Sequence, residues 1–339
     1  MNKLKKIPFI LSILSILMFF TPANAEIKVV TSIKPIHSLA SYLMDGAGKP
    51  DLIVDGFNSP HGFSMKPSHA KMLQNADLIF WIGEDLENFL EKPLNSIAKK
   101  AEKIELIEIK GLNVLKFRER NIFEEHEGHD DHGNDTKKEK HDDHGDDAKK
   151  EKHDDHGHDA KKEEHDDHEG HGHGEYDPHI WLDPINAKVI LNEITEHLIE
   201  NDSKNAATYK SNLAEALAKI DKLIIDVITE TNTDLSYVVF HDAYQYYENR
   251  FNVNILGAMT VNPDVMPGAE QIHEIHEVIE HDNVSCILSE PQFNPDIIKS
   301  IAKDTSVKTG VLDPLGANLK PGKDLYFDLI RNMSASFNC

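Results

Sequence analysis

Four residues of metal-ligating type stand where an apolar run gives way to a loop. His61 follows the run Asp51–Asp55 and a Gly-Phe-Asn-Ser-Pro loop, His179 lies in the proline-bracketed stretch Asp177–Pro184, His241 comes directly after Tyr237–Phe240, and Asp313 directly after Thr309–Leu312. Three imidazoles and one carboxylate form a donor set for a divalent transition cation, and imidazole suits zinc where carboxylate and water suit manganese. A lone histidine behind a strand is more often structural than ligating, and Asp313-Pro314 alone is a turn signal. It is the four together that point to a metal.

A second population of histidines repeats along a tract. Twelve of the 21 histidines fall between Glu124 and Glu175, where His-Asp-Asp-His recurs every twelve residues at His129 and His132, His141 and His144, His153 and His156, and His165 and His168. The tract has almost nothing apolar to bury, cannot offset the entropy cost of ordering its backbone, and reads as a mobile arm. Seven glycines interrupt it, so the chemistry expected there is loose, exchangeable capture of zinc or copper. A merely solubilising acidic linker would explain the charge but not the histidine repeat.

Tight binding needs positioned side chains, and ordered elements supply the positions. Short β-rich runs at Ile27–Ile33, Asp51–Asp55, Asp77–Ile82, Tyr237–Phe240, Val253–Ala258, Val284–Leu288 and Thr309–Leu312 alternate with longer amphipathic stretches, the pattern of an α/β fold with mainly parallel sheets flanked by helices. Between the halves Ala206, Tyr209, Leu213, Leu217, Ile220, Ile224 and Val227 recur at three and four without an intervening glycine or proline. That predicts one long, rigid helix over 203–231 with Ser203 as its N-cap. The organisation expected is an N-terminal lobe over 26–202 carrying the arm 124–175, the linking helix, and a second lobe over 232–339. Ligands of open parallel sheets bind beyond the carboxyl ends of the strands. Two such edges facing across a cleft would bring His61, His179, His241 and Asp313 together.

Residues 1–25 read as a cleaved export signal, with Lys3, Lys5 and Lys6 ahead of the apolar run Ile7–Phe20 and Ala23-Asn24-Ala25 as the cleavage site. That run is short of the roughly 20 residues a membrane span needs, and no later stretch approaches that length. The expectation is a soluble, monomeric periplasmic protein that is not embedded in the membrane. The formal charge of −23 falls only partly on the arm, and the remaining body is equally acidic, which argues against nucleic acid or anionic lipid and favours cations. The two cysteines, Cys286 and Cys339, read as a disulfide fastening the tail to a buried strand, a metal site being the other use of such a pair.

With these residues in place, the chain resembles the periplasmic zinc-binding proteins of zinc-uptake ABC transporters (ZnuA-type), within the wider zinc and manganese solute-binding family. The resemblance is carried by Pro60-His61-Gly62-Phe63-Ser64-Met65-Lys66-Pro67-Ser68, Asp177-Pro178-His179-Ile180-Trp181-Leu182-Asp183-Pro184, Phe240-His241-Asp242-Ala243-Tyr244, Ser289-Glu290-Pro291-Gln292-Phe293 and Leu312-Asp313-Pro314-Leu315-Gly316. It implies that His61, His179 and His241 bind Zn2+ as transported ligand, and that an inner-membrane permease with its cytoplasmic ATPase is the partner. Asp313 matches the carboxylate ligand of the manganese branch, its role in the zinc branch being shared with water. The manganese branch has glutamate at the position of His241, and some zinc receptors have glutamate before the first histidine, where this chain has Pro60. Glu290 is weighed as a further ligand, but a loop-anchoring or supporting role fits it better.

Two rivals follow from the same donor set. One is a manganese receptor of the same family; the other, of a different class, is a secreted zinc hydrolase, since three histidines and an open fourth position also describe a catalytic site. The chain offers no H-E-x-x-H and no general base clearly beside the metal.

Overall fold

The computed structural model describes residues 26–118, 120–122, 174–261, 263 and 265–339. The signal segment 1–25 and the eight paired histidines of the arm lie outside the described residues. Val29–Ile33 (β1) pairs in parallel with Asp51–Val54 (β2) and Leu78–Trp81 (β3), and β3 pairs with Glu102–Glu105 (β4), giving a sheet of order β2-β1-β3-β4. Every residue of β1 and β3 is buried, as a parallel sheet covered on both faces requires. β4 has no counterpart among the expected strands: its Glu-Lys-Ile-Glu sequence buries only Ile104, a pattern that an edge position tolerates and that hydropathy does not reveal.

The second half repeats the plan. Ser236–His241 (β5), Asn254–Thr260 (β6), Cys286–Ser289 (β7) and Lys308–Val311 (β8) form a parallel sheet of order β6-β5-β7-β8. Around the two sheets lie Lys34–Leu43 (α1), Pro67–Asn75 (α2), Glu84–Ser96 (α3), Pro184–Asn201 (α4), Ala206–Glu230 (α5), Gln245–Phe251 (α6), Ala269–His281 (α7), Asp296–Thr305 (α8) and Leu325–Ser336 (α9). The chain therefore has the expected α/β class, with two helix-flanked parallel sheets and one long helix between them.

That helix, α5, is 25 residues, about 37 Å long, and packs against α1, α4 and α9. Its start differs from the sequence expectation. Ser203 lies in a 3-10 turn over Ser203–Asn205 and caps nothing with its side chain. Asp202 organises the turn instead, its Oδ2 accepting from Asn205 Nδ2 at 2.7 Å and Tyr209 Oη at 2.6 Å. A carboxylate accepts two donors at once, where a serine hydroxyl one residue later would be wrongly placed. The apolar positions do face inward, with Tyr209, Ile220 and Val227 buried and Leu213, Leu217 and Ile224 packed at the rim of the core.

One continuous apolar core runs from the first sheet through α5 into the second. Chain segments also cross between the halves. Asn121 and Ile122 lie against β6, with Asn121 O accepting from Ala258 N at 2.8 Å. The approach needs Gly257, because a Cβ there would come within 2.7 Å of Asn121 O. Lys34, buried at the start of α1, donates to the carbonyls of Gly316, Ala317 and Leu319 at 2.9 to 3.1 Å. The roots of the arm are held side by side: Lys116 and Tyr176 form an antiparallel bridge, and Asp177 N donates to Leu115 O at 2.8 Å. Cys286 and Cys339 form a disulfide across 53 residues, a closure that stabilises by about 4 kcal/mol on the chain-entropy account.

Candidate metal centre

The site is built where the strand ends point. In each sheet the first strand has one neighbour on either side, so the chain reverses its direction of winding there, and the carboxyl end of that strand opens a crevice. His241 is the last residue of β5. His61 stands on the loop between β2 and α2, and His179 precedes the 3-10 turn Ile180–Leu182 that leads into α4. Asp183 caps α4 as its sequence position suggests, accepting from Ile185 N at 2.8 Å, and a two-pronged contact from Arg250 at 2.7 and 2.8 Å fixes it further. A Trp181 Nε1 donation to Pro314 O at 2.9 Å ties the turn after His179 to the second half.

The structure brings the three histidines together. Their ligand atoms all lie within 4.8 Å of one another, and the ring centroids are 5.3 to 5.6 Å apart. His179 Nε2 and His241 Nε2 are separated by 3.4 Å. A tetrahedral zinc with nitrogen ligands at roughly 2.05 Å sets neighbouring nitrogens roughly 3.35 Å apart, so this pair already has the spacing of two ligands on one ion. The far nitrogen of each ring is held by a carboxylate: His179 Nδ1 lies 2.7 Å from Asp177 Oδ1, and His241 Nδ1 lies 2.6 Å from Glu290 Oε1. A carboxylate on Nδ1 fixes the tautomer that leaves Nε2 with its lone pair, and raises its basicity.

Electrostatics around the pair favours a cation. Burial pushes His179 well below the ordinary histidine value, with the charge of His241 acting in the same direction. Burial also lowers His241, but the charge and hydrogen bond of Glu290 outweigh it and the net shift is upward. Burial pushes Asp177 up to about 7, Asp242 to about 6 and Glu248 to about 7, the last two partly offset by Arg118. Arg118 donates to Asp242 at 2.9 Å and to both oxygens of Glu248 at 3.1 and 2.6 Å. Several buried carboxylates against one guanidinium leave an excess of acid that a divalent ion would relieve.

Asp313 does not join the three histidines. Its Oδ1 accepts from Leu315 N, Gly316 N and Gln292 Nε2 at 3.0 to 3.1 Å, and its Oδ2 from Ala317 N at 2.6 Å. Both oxygens are thus engaged in holding the 315–317 turn, the role its Asp-Pro sequence signals by itself. Three other histidines of the body make structural contacts. His37 contacts Pro50 O and Ser41, His69 accepts from Lys66 N at the start of α2, and His273 lies on the solvated face of α7 opposite Ile275 and Ile279. The role of Asp177 was not assigned from sequence; its position two residues before His179, with a proline between, is the local signal for the turn in which its Oδ1 accepts His179 N at 3.0 Å.

The three rings border a cavity of about 10 Å³, room for one water or ion and not for an organic molecule. A larger hollow of about 680 Å³, bordered by Glu84, Asp85, Glu105 and Glu108, contains no histidine. Two helix-flanked parallel sheets, a long helix between them and an ion-sized histidine cluster at facing strand ends define a cleft-type metal receptor fold.

The comparisons with known proteins agree. Residues 29–338 match the family model for the periplasmic component A of the zinc-uptake complex, ZnuA, and the chain belongs to this family. It is 46% identical to the high-affinity zinc uptake system protein ZnuA of Brucella abortus (strain 2308) over 91% of this chain and 90% of that one. It is 34% identical to the protein of the same name from Yersinia pestis over 95% and 94%. A crystal structure of ZnuA superposes with TM-score 0.68 at 18% identity, covering 92% of this chain and all of that one, a likeness of fold. The family is one of solute-binding receptors and not of enzymes, which removes the hydrolase rival. No helix among the described residues is long and apolar enough to cross a membrane.

Proposed function

We propose that this protein is a periplasmic receptor that captures Zn2+ on His61, His179 and His241, with water as the fourth group, and delivers it to an inner-membrane ABC permease driven by a cytoplasmic ATPase. The observation that carries this reading is the 3.4 Å spacing of His179 Nε2 and His241 Nε2, each ring oriented by a buried carboxylate. The names of the relatives, all zinc uptake proteins, support zinc as the cargo and transport as the task. Three neutral imidazoles favour zinc over manganese. Nanomolar capture corresponds to about −12 kcal/mol, most of which the permease must cancel by distorting the site.

The site has two rigid members and one softer one. His179 and His241 are buried, while His61 is half-buried on the loop between β2 and α2. With α5 packed between the halves, release proceeds by movement of that loop and not by wide separation of the lobes. A large change in radius of gyration between zinc-free and zinc-loaded protein in solution scattering would refute this step.

Calorimetric zinc titration tests the assignment of the site. The intact protein should show one tight site followed by several weaker ones, and His179→Ala should remove the tight one alone. Persistence of the tight site in that variant would overturn the assignment.

A further inference from the structure

The described residues contain a second group of imidazole and carboxylate ligands, on elements remote from the cleft. One oxygen of Glu102, one oxygen of Glu200 and a ring nitrogen of His197 lie within 4.8 Å of one another. Glu102 opens β4, at the amino end of the strand, whereas the cleft histidines gather at carboxyl ends. His197 and Glu200 share one face of α4 at a spacing of three, roughly 20 Å along the helix from the cap at Asp183.

The surroundings of His197 are those of a ligand that has been oriented. Its Nε2 lies 3.3 Å from Glu193 Oε1 and its Nδ1 lies 2.9 Å from Glu102 Oε1. A neutral imidazole has one N–H, so it can donate to only one of these carboxylates, and the other nitrogen turns a lone pair toward an acceptor. Nδ1 is the nitrogen left over: it is shut off from water and makes no directed hydrogen bond. Glu102 is itself held, its Oε2 accepting from Asn201 Nδ2 at 3.0 Å, which leaves Oε1 facing the ring. The buried ring of Phe80 meets His197 edge-on at 6.1 Å and limits its rotation. Three carboxylates, those of Glu102, Glu193 and Glu200, gather around one imidazole with no lysine or arginine paired to them among the described residues, and a divalent cation between them would relieve their mutual repulsion.

We propose that Glu102, His197 and Glu200 form a second site for a divalent transition cation at the edge of the fold, its imidazole being the donor that suits Zn2+ and its two exposed carboxylates donors that Mn2+ also accepts. Glu193 holds Nε2 as the orienting carboxylate, and Nδ1 takes the metal. The 2.9 Å between Nδ1 and Glu102 Oε1 is a few tenths of an ångström under the roughly 3.3 Å edge of a tetrahedral zinc, a difference that a small rotation of the exposed glutamate accommodates. One imidazole and two exposed carboxylates hold the ion more weakly than three imidazoles in a closed cleft. The proposal is independent of the cleft assignment.

The test uses the full chain and a readout specific to each histidine. Carbethoxylation of individual histidines is followed by peptide mass spectrometry as Zn2+ is added. Zinc at ten times the dissociation constant of the second site should slow modification of His197 roughly ten-fold. The double variant Glu102→Gln, Glu200→Gln should abolish this protection while His179 and His241 stay protected at one equivalent of zinc. Equal modification of His197 with and without zinc, or protection that survives in the double variant, overturns the proposal. If His197 is unreactive even without metal, Mn2+ decides. Selective broadening of the backbone amide signals of residues 193–201, lost in the double variant, supports the site; no broadening there, or equal broadening in both proteins, overturns it.

Discussion

Glu290→Gln isolates the electrostatic part of the site from its shape. The amide has nearly the volume of the carboxyl group and its carbonyl can still accept from His241 Nδ1, so ring orientation is kept while the charge at 2.6 Å is lost. Removing such an orienting carboxylate lowers metal affinity about 10- to 100-fold, or about 1.4 to 2.8 kcal/mol. The loss must also depend on pH in a definite direction. Glu290 raises His241 above the ordinary histidine value against the opposing effect of burial, so in the wild type a proton begins to compete for this ring at a higher pH than it would for an ordinary histidine. Without Glu290, burial dominates, the ring stays neutral to lower pH, and the proton competes less. The gap in affinity between the two proteins should therefore be widest near pH 8 and narrow toward pH 6. The assay is competition with a chromophoric zinc chelator at less than one equivalent of zinc, where the tightest site fills first. Equal affinities at pH 8, or a gap that widens on acidification, would refute the assigned role of Glu290.

Three further outcomes can be checked. Replacing residues 124–173 by a short linker should leave the tight zinc site and the melting temperature intact while removing weaker binding in calorimetry, because the pairings of Leu115 with Asp177 and Phe117 with Glu175 already hold the two roots together; loss of the tight site would place it in the arm. His241→Glu alone should lose zinc without gaining manganese, since the new carboxylate would face Glu290, whereas the double variant His241→Glu, Glu290→Gln should shift preference toward manganese in competition titrations; manganese binding by the single variant would show that the two side chains do not oppose each other. Glu87 is fully buried, accepts from Ile82 N and Gly83 N at 2.9 and 3.0 Å, and is pushed by burial from 4.5 up to about 7. Because the folded state then holds the proton more tightly than the unfolded chain, this group's contribution is full below pH 4.5 and lost by about pH 7, a difference of about 3 kcal/mol. Glu87→Gln should flatten that part of the pH dependence of urea unfolding, and an unchanged profile would count against it.

How much of this was legible in the sequence depended on whether the signal is local. The apolar runs of β1, β3, β5 and β7 betray themselves because both faces of a parallel strand are buried. β4 escapes because an edge strand need not hide its Glu-Lys-Ile-Glu side chains. His241 was found through a positional rule, since the carboxyl end of a strand falls on the edge where open α/β sheets bind ligands, whereas His61 and His179 stood out in loops, each directly after a proline. The same rule misplaced Asp313: it too follows a strand, but its carboxylate turns back onto the amides of residues 315–317. Position after a strand brings a residue to the crevice, and only the local backbone decides whether its side chain faces in. Histidine cannot satisfy successive backbone amides as a carboxylate does, which leaves it free to serve the ion.

The partners of those histidines lay beyond any local reading. Glu290 meets His241 across 49 residues, and Arg118 reaches Asp242 and Glu248 across 124 and 130, pairings that exist only once β5 and β7 lie side by side and the root of the arm folds back over the second sheet. The segment that carries Arg118 precedes the acidic insertion in the sequence, and its contacts with Asp242 and Glu248 fix the chain on that side. The insertion can vary in length without disturbing the cleft because Lys116, Tyr176 and Arg118 close its base. In this arrangement the three histidines and the carboxylates that orient two of them are anchored in the two sheets and the turns beside them, so the repeat is not needed to build the cleft.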